Sequence, residues 1–174
     1  MHSFNKKVFL VGMPGSGKST LGQELAESLH VEFFDLDHEI ERVEQKSIPE
    51  IFELHGEEYF RKVESDNLQR LADFKSGRGL IIATGGGTPC FMGNMKIMNQ
   101  TGIAIFLDVS LHTLTERLMA TDLSSRPKFG DDKGLIDRLQ HMHSERIPDY
   151  NKATFTIKGD DTSLDDLIKV IESA

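Results

Sequence analysis

The 174 residues are 38% hydrophobic and 28% charged, which suits one soluble globular domain whose core needs no covalent staples. A balance of 20 basic against 28 acidic residues gives a formal charge of −8 and argues against a nucleic-acid groove, while a few arginines in one cleft could still hold a small anion. Cys90, the single cysteine, excludes an intramolecular disulfide and fits a reducing cytoplasm as a buried, inert thiol; residues 1–7 do not read as a secretory leader, and no apolar run nears the roughly 20 residues that cross a bilayer.

Residues 7–12 (KVFLVG) form a short apolar run ending in glycine, as a buried parallel strand does. The segment Gly12-Met-Pro-Gly-Ser-Gly17-Lys18-Ser19 follows and matches G-x-x-x-x-G-K-[ST] between a strand and a helix. Its glycines let consecutive backbone N–H groups turn inward around phosphates. A helix over residues 17–29, with Leu21, Leu25 and Leu29 on one face, adds its positive N-terminal end. Lys18 supplies a charge for the β and γ phosphates, and the Ser19 hydroxyl is a ligand for Mg²⁺. The motif specifies a nucleotide, not an acceptor, because switches, ATPases and kinases share it.

A second strand over residues 32–36 ends at Asp35 and Asp37. Two readings stand: one acid supports magnesium near Ser19 and the other receives a hydroxyl proton, or they are a helix cap and a solvated acid, Asp37 suiting a cap before residues 38–45. Ser47-Ile-Pro-Glu50 is a capping box opening a helix that reaches about residue 75 with a break near Gly56. On it, Arg61 and Glu64 are three apart: a surface ion pair, or an acid orienting an arginine towards an anionic substrate. The third strand, 80–84 (LIIAT), runs into Gly85-Gly86-Gly87, where the lack of side chains lets backbone meet a small molecule. A fourth strand spans 103–109, and Ser110 caps a helix carrying Leu111, Leu114 and Leu118. Residues 123–134 read as a polar loop bearing Arg126, a candidate to neutralise a transferring phosphoryl group. Arg146, in the segment Arg146-Ile-Pro-Asp-Tyr150, is expected just after a helix, where a planar guanidinium can fork onto a carboxylate. A weaker strand at 154–157 and a helix capped by Ser163 close the chain. This alternation predicts an α/β fold, a parallel sheet covered on both faces, with ligands at the carboxyl ends of the strands.

In combination these segments closely resemble the shikimate kinase family. The match comprises GMPGSGKS at 12–19, D-x-D at Asp35 and Asp37, F-R-x-x-E from Phe60 to Glu64, GGG at 85–87, R-P at Arg126–Pro127 and R-x-P-x-Y from Arg146 to Tyr150, in family order over about residues 8 to 172. The resemblance implies a three-layer α/β/α P-loop fold of the nucleoside-monophosphate-kinase type, with a five-stranded parallel sheet. It implies one kinase domain over residues 1–174, with a mobile lid near 123–134 and a shikimate-binding region near 35–64. The implied reaction is ATP-dependent phosphorylation of the 3-hydroxyl of shikimate, towards chorismate and the aromatic amino acids. Gly15, Ser16, Gly17, Lys18, Ser19 and Thr20 would bind ATP, with Arg126 from the lid and Arg117 stacked on adenine. Ser19 would ligate Mg²⁺ and Asp35 support it through water. Asp37 would bind the acceptor hydroxyls and act as base, and Lys18 and Arg126 would complete the catalytic set. Arg61 and Arg146 would clamp the acceptor carboxylate beside Gly85, Gly86 and Gly87. A cytoplasmic monomer with no nucleic-acid or membrane partner is expected.

The sequence departs from the family pattern at Lys128-Phe129-Gly130, where aliphatic residues are usual after R-P. A gluconate-type kinase would keep the phosphate loop but lack the R-x-x-E, GGG and R-x-P-x-Y set. A catalytically dead binding relative would have lost Lys18, Asp37 or Arg126, and a GTPase-type switch would need N-K-x-D, which Asn151-Lys152-Ala153-Thr154 does not complete. His141 and His143, two apart, do not align on a helix as metal ligands.

Overall fold

The computed structural model describes residues 4–75, 77–120 and 132–174. Chain order gives β1 (Lys7–Val11), α1 (Lys18–Leu29), β2 (Glu32–Asp35), α2 (Leu36–Glu44), α3 (Ile48–Asp73), β3 (Leu80–Ala83), a 3₁₀ turn (Thr88–Cys90), α4 (Asn94–Thr101), β4 (Ile103–Asp108), α5 (Leu111–Ala120), α6 (Asp132–Tyr150), β5 (Phe155–Lys158) and α7 (Leu164–Glu172). The strands form one five-stranded sheet in the order β2-β3-β1-β4-β5, parallel throughout.

Strand residues alternate between faces, and each face buries its own apolar cluster. Phe9, Val11, Ile82 and Phe106 meet α2 to α6 through side chains such as Leu36, Ile40, Leu68, Met98, Leu114 and Leu139. Val8, Leu10, Ile81 and Ile105 meet α1 and α7 through Leu25, Ala26, Leu167 and Ile171. The result is the expected three-layer arrangement. Because all strands run the same way, their carboxyl ends lie along one edge, and the loops leaving β1, β2 and β3 share that edge.

Ser47 and Ser163 each form the reciprocal capping box expected from their spacing, with Glu50 and Asp166. The break in α3 falls at Gly56 (φ 77, ψ 178). Other expectations need correction. The cap of α2 is Asp35, whose Oδ1 accepts from the backbone N–H groups of Asp37 (3.0 Å) and His38 (3.4 Å), so Asp37 lies in the first turn instead. Arg146 does not follow a helix but lies within α6, with Pro148 in its last turn. Cys90 is half-buried rather than buried, and α4 has no counterpart in the sequence reading. Of the loop expected at 123–134, residues 123–131, Arg126 included, lie outside the described residues, while 132–134 open α6. Among the described residues no helix is long and apolar enough to cross a membrane.

Candidate active site

After β1 the chain turns through Gly15 (φ 83) and Gly17 (φ 91), left-handed conformations that suit residues without a Cβ. Gly17 is the N-cap of α1 and offers no side chain to its first turn, so the helix N–H groups and positive end face the cleft. The Lys18 ammonium is buried and donates to the carbonyls of Gly12 (3.0 Å) and Met13 (2.9 Å), which holds it over the loop. The Ser19 hydroxyl donates to Asp35 Oδ2 at 2.5 Å. Since Asp35 Oδ1 caps α2, one carboxylate ties the first turn of α1 to the start of α2.

Asp37 lies deeper. Burial first, then the neighbouring charges of Asp35 and Glu64, push its carboxyl up to about 6, against a lowering effect of Lys18. The glycine triplet after β3 explains how so many polar groups fit together. A Cβ on Gly85 would lie 2.9 Å from Asp37 Oδ1, one on Gly86 would lie 2.9 Å from Arg146 Nη1, and one on Gly87 would lie 2.8 Å from Arg61 Nη1. Each glycine admits a different side chain to the same wall. Arg61 is only 9% exposed and Glu64 only 1%, which removes the surface-pair reading. Arg61 Nη1 donates to Glu64 Oε2 at 2.9 Å, and the Thr88 hydroxyl donates to Glu64 Oε1 at 2.6 Å, so both oxygens of that buried acid are occupied.

Gly15, Ser16, Gly17, Lys18, Ser19, Thr20, Asp35, Asp37, Arg61, Gly85, Gly86, Gly87, Arg117 and Arg146 all line one cleft of about 1310 Å³ at the carboxyl edge of the sheet. A phosphate-binding end thus opens directly onto an end that presents one raised-pKa acid and two arginines. The model of the family described as shikimate kinase matches residues 14–174. The chain belongs to the shikimate kinase family.

Relatives within the family agree over most of their length. The shikimate kinase of Parabacteroides distasonis is 40% identical over 153 residues, 87% of this chain and 86% of that one. A crystal structure of shikimate kinase from Bacteroides thetaiotaomicron superposes with a TM-score of 0.89 at 34% identity, covering 96% of this chain and 98% of that one. The Acinetobacter baumannii enzyme, solved in complex with shikimate, gives 0.85 at 34% identity over 97% and 92%.

Residues that the sequence reading left without a role also line or brace the cleft. Tyr150, fully buried, donates its hydroxyl to Gly86 O at 2.7 Å and packs its ring 4.9 Å from Phe106, which fixes the middle glycine. It stood in the R-x-P-x-Y motif, so its signal was visible. Thr88, which holds Glu64, and the loop over 160–163, which lines the same cleft, carried no such signal. Arg117 donates to Gly15 O (3.4 Å) and Asp160 O (2.6 Å), linking the phosphate loop to that loop. Burial, reinforced by Asp149, pushes the Cys90 thiol up to about 11, which fits the inert thiol expected. His141 is exposed beside Glu145, and no cluster of three or more metal-binding side chains occurs among the described residues.

Proposed function

We propose that the chain, as one catalytic unit over residues 1–174, transfers the γ-phosphoryl group of ATP to the 3-hydroxyl of shikimate, giving shikimate 3-phosphate and ADP. The convergence of Asp37, Arg61 and Arg146 on three consecutive glycines, next to the phosphate loop, carries this reading. Lys18 and the open first turn of α1 bind and orient the phosphates, and Arg117 borders the base. Arg61 and Arg146 hold the acceptor carboxylate against Gly86 and Gly87. Asp37 accepts the hydroxyl proton as the acceptor oxygen bonds to phosphorus and the bond to the β–γ bridging oxygen breaks. Arg126 is assigned to the developing phosphoryl charge, with the lid around it at 123–134.

Ser19 and Asp35 fit a magnesium site. Mg²⁺ favours oxygen ligands, keeps several waters and needs one or two protein oxygens beside the phosphates, which a hydroxyl and carboxylate in direct contact provide. When bound, the ion neutralises charge on the phosphate oxygens. The protein is further expected to act as a cytoplasmic monomer without nucleic-acid or membrane partners.

An assay of ADP release with shikimate, with gluconate and with no acceptor tests the reading. ADP release should depend on shikimate. Equal rates with gluconate, or with no acceptor, would overturn it.

A further inference from the structure

We infer that Phe91 is a positioning residue for Arg61, fixing the plane in which that guanidinium presents its open edge to the acceptor's carboxylate; this rests on the clamp reading above. An arginine carries five N–H donors. Here Nε and Nη2 each give one to Glu57 Oε1, at 3.3 and 3.1 Å, and Nη1 gives one to Glu64 Oε2 at 2.9 Å. Among the described residues two donors are left over, one on each terminal nitrogen, and the edge between Nη1 and Nη2 can serve as a fork. A Cβ on Gly87 would stand 2.8 and 2.9 Å from Nη1 and Nη2 but 3.2 Å from Cζ between them, so the fork's edge is turned towards the glycine triplet.

Both glutamates grip the guanidinium at its edges, and edge contacts resist in-plane shifts better than swivelling of the plane. The broad face is where Phe91 acts. Arg61 Cζ sits 4.0 Å from the Phe91 ring centroid, against 5.2 Å for Phe60. An aromatic face attracts the cation without consuming an N–H, so it restrains the plane and leaves the fork free. Phe91 is not a core residue: it is 38% exposed and belongs to neither apolar cluster. The next residue, Met92, is left-handed (φ 53) and 63% exposed, so the turn holds an unfavourable backbone while presenting the ring to Arg61.

Steady-state kinetics of the full chain with Mg²⁺, varying shikimate and ATP separately, tests this. Phe91→Leu should raise KM for shikimate about two- to fivefold, the range of an exposed cation–π contact, with little change in kcat or KM for ATP. Phe91→Tyr, which keeps the ring, should restore the value. In an Arg61→Gln background Phe91→Leu should have no further effect on kcat/KM, because the group it positions is gone. An unchanged KM in Phe91→Leu, or the same penalty in both backgrounds, overturns the role of Phe91 alone. If Arg61→Gln itself leaves KM for shikimate unchanged, the clamp reading falls and this inference with it.

Discussion

At Asp37 the requirements of chemistry and folding diverge. A group that receives a hydroxyl proton works best with a pKa near the operating pH, and burial beside Asp35 and Glu64 pushes this carboxyl up to about 6. The folded value lies above the unfolded value of 3.8, so the protonated form favours folding. That contribution is complete below about pH 4 and is lost as pH rises through about 6. Asp37→Asn, uncharged throughout, should therefore be more stable than the parent at pH 7.5, by up to about 3 kcal/mol, while losing activity. Urea unfolding at pH 7.5 and pH 4 checks this; the gain should disappear at the lower pH, and equal stabilities at pH 7.5 would refute it. Sequence spacing left Asp35 and Asp37 as two interchangeable acids. The resemblance gives them separate roles, and the cap geometry supplies the physical difference, because Asp35 is committed through both oxygens to Asp37, His38 and Ser19. Arg61 was equally ambiguous, since spacing shows that Glu64 is its neighbour but says nothing about burial of the pair.

Helix α3 is an element whose one irregular residue can be tested by itself. Gly56 adopts φ 77, ψ 178, a region almost closed to other residues, yet a Cβ built there would meet nothing within 4 Å. Gly56→Ala should thus destabilise the protein by about 1–3 kcal/mol through backbone strain alone. Denaturant unfolding that shows no change would mean the kink relaxes freely. This break was readable in advance, as were the capping boxes of α3 and α7 and the apolar runs of β1, β3 and β4, while the half-exposed β5 gave only a weak signal. Helix α4 was not readable: it is eight residues long, starts at Gly93 without a side-chain cap, and buries only Met95 and Met98 of its apolar residues. Arg146 was misplaced because Pro148 reads as a stop, whereas α6 keeps it in its final turn.

Across the whole molecule, a formal charge of −8 coexists with a cleft that gathers Lys18, Arg61, Arg117 and Arg146. Ligand linkage should report on this cleft without any chemistry. A non-hydrolysable ATP analogue with Mg²⁺ at 100 times its Kd should add about 2.7 kcal/mol of stability, or about 5–10 °C in Tm for a chain of this size. Replacing Mg²⁺ with EDTA should at least halve that shift in scanning calorimetry. An undiminished shift would remove the magnesium role from Ser19 and Asp35. The strand order has a different consequence, in time rather than space. Among the described residues β1 pairs only with β3 and β4, so Val8 finds its neighbours at Ile81 and Ile103. As the chain leaves the ribosome, the segment around Gly12 to Ser19 precedes both strands that flank β1, which end only at Ala83 and Asp108. Local helices such as α1 can flicker into being beforehand; the loop that grips phosphate cannot. The loop that holds phosphate therefore waits on strands that come much later in chain order.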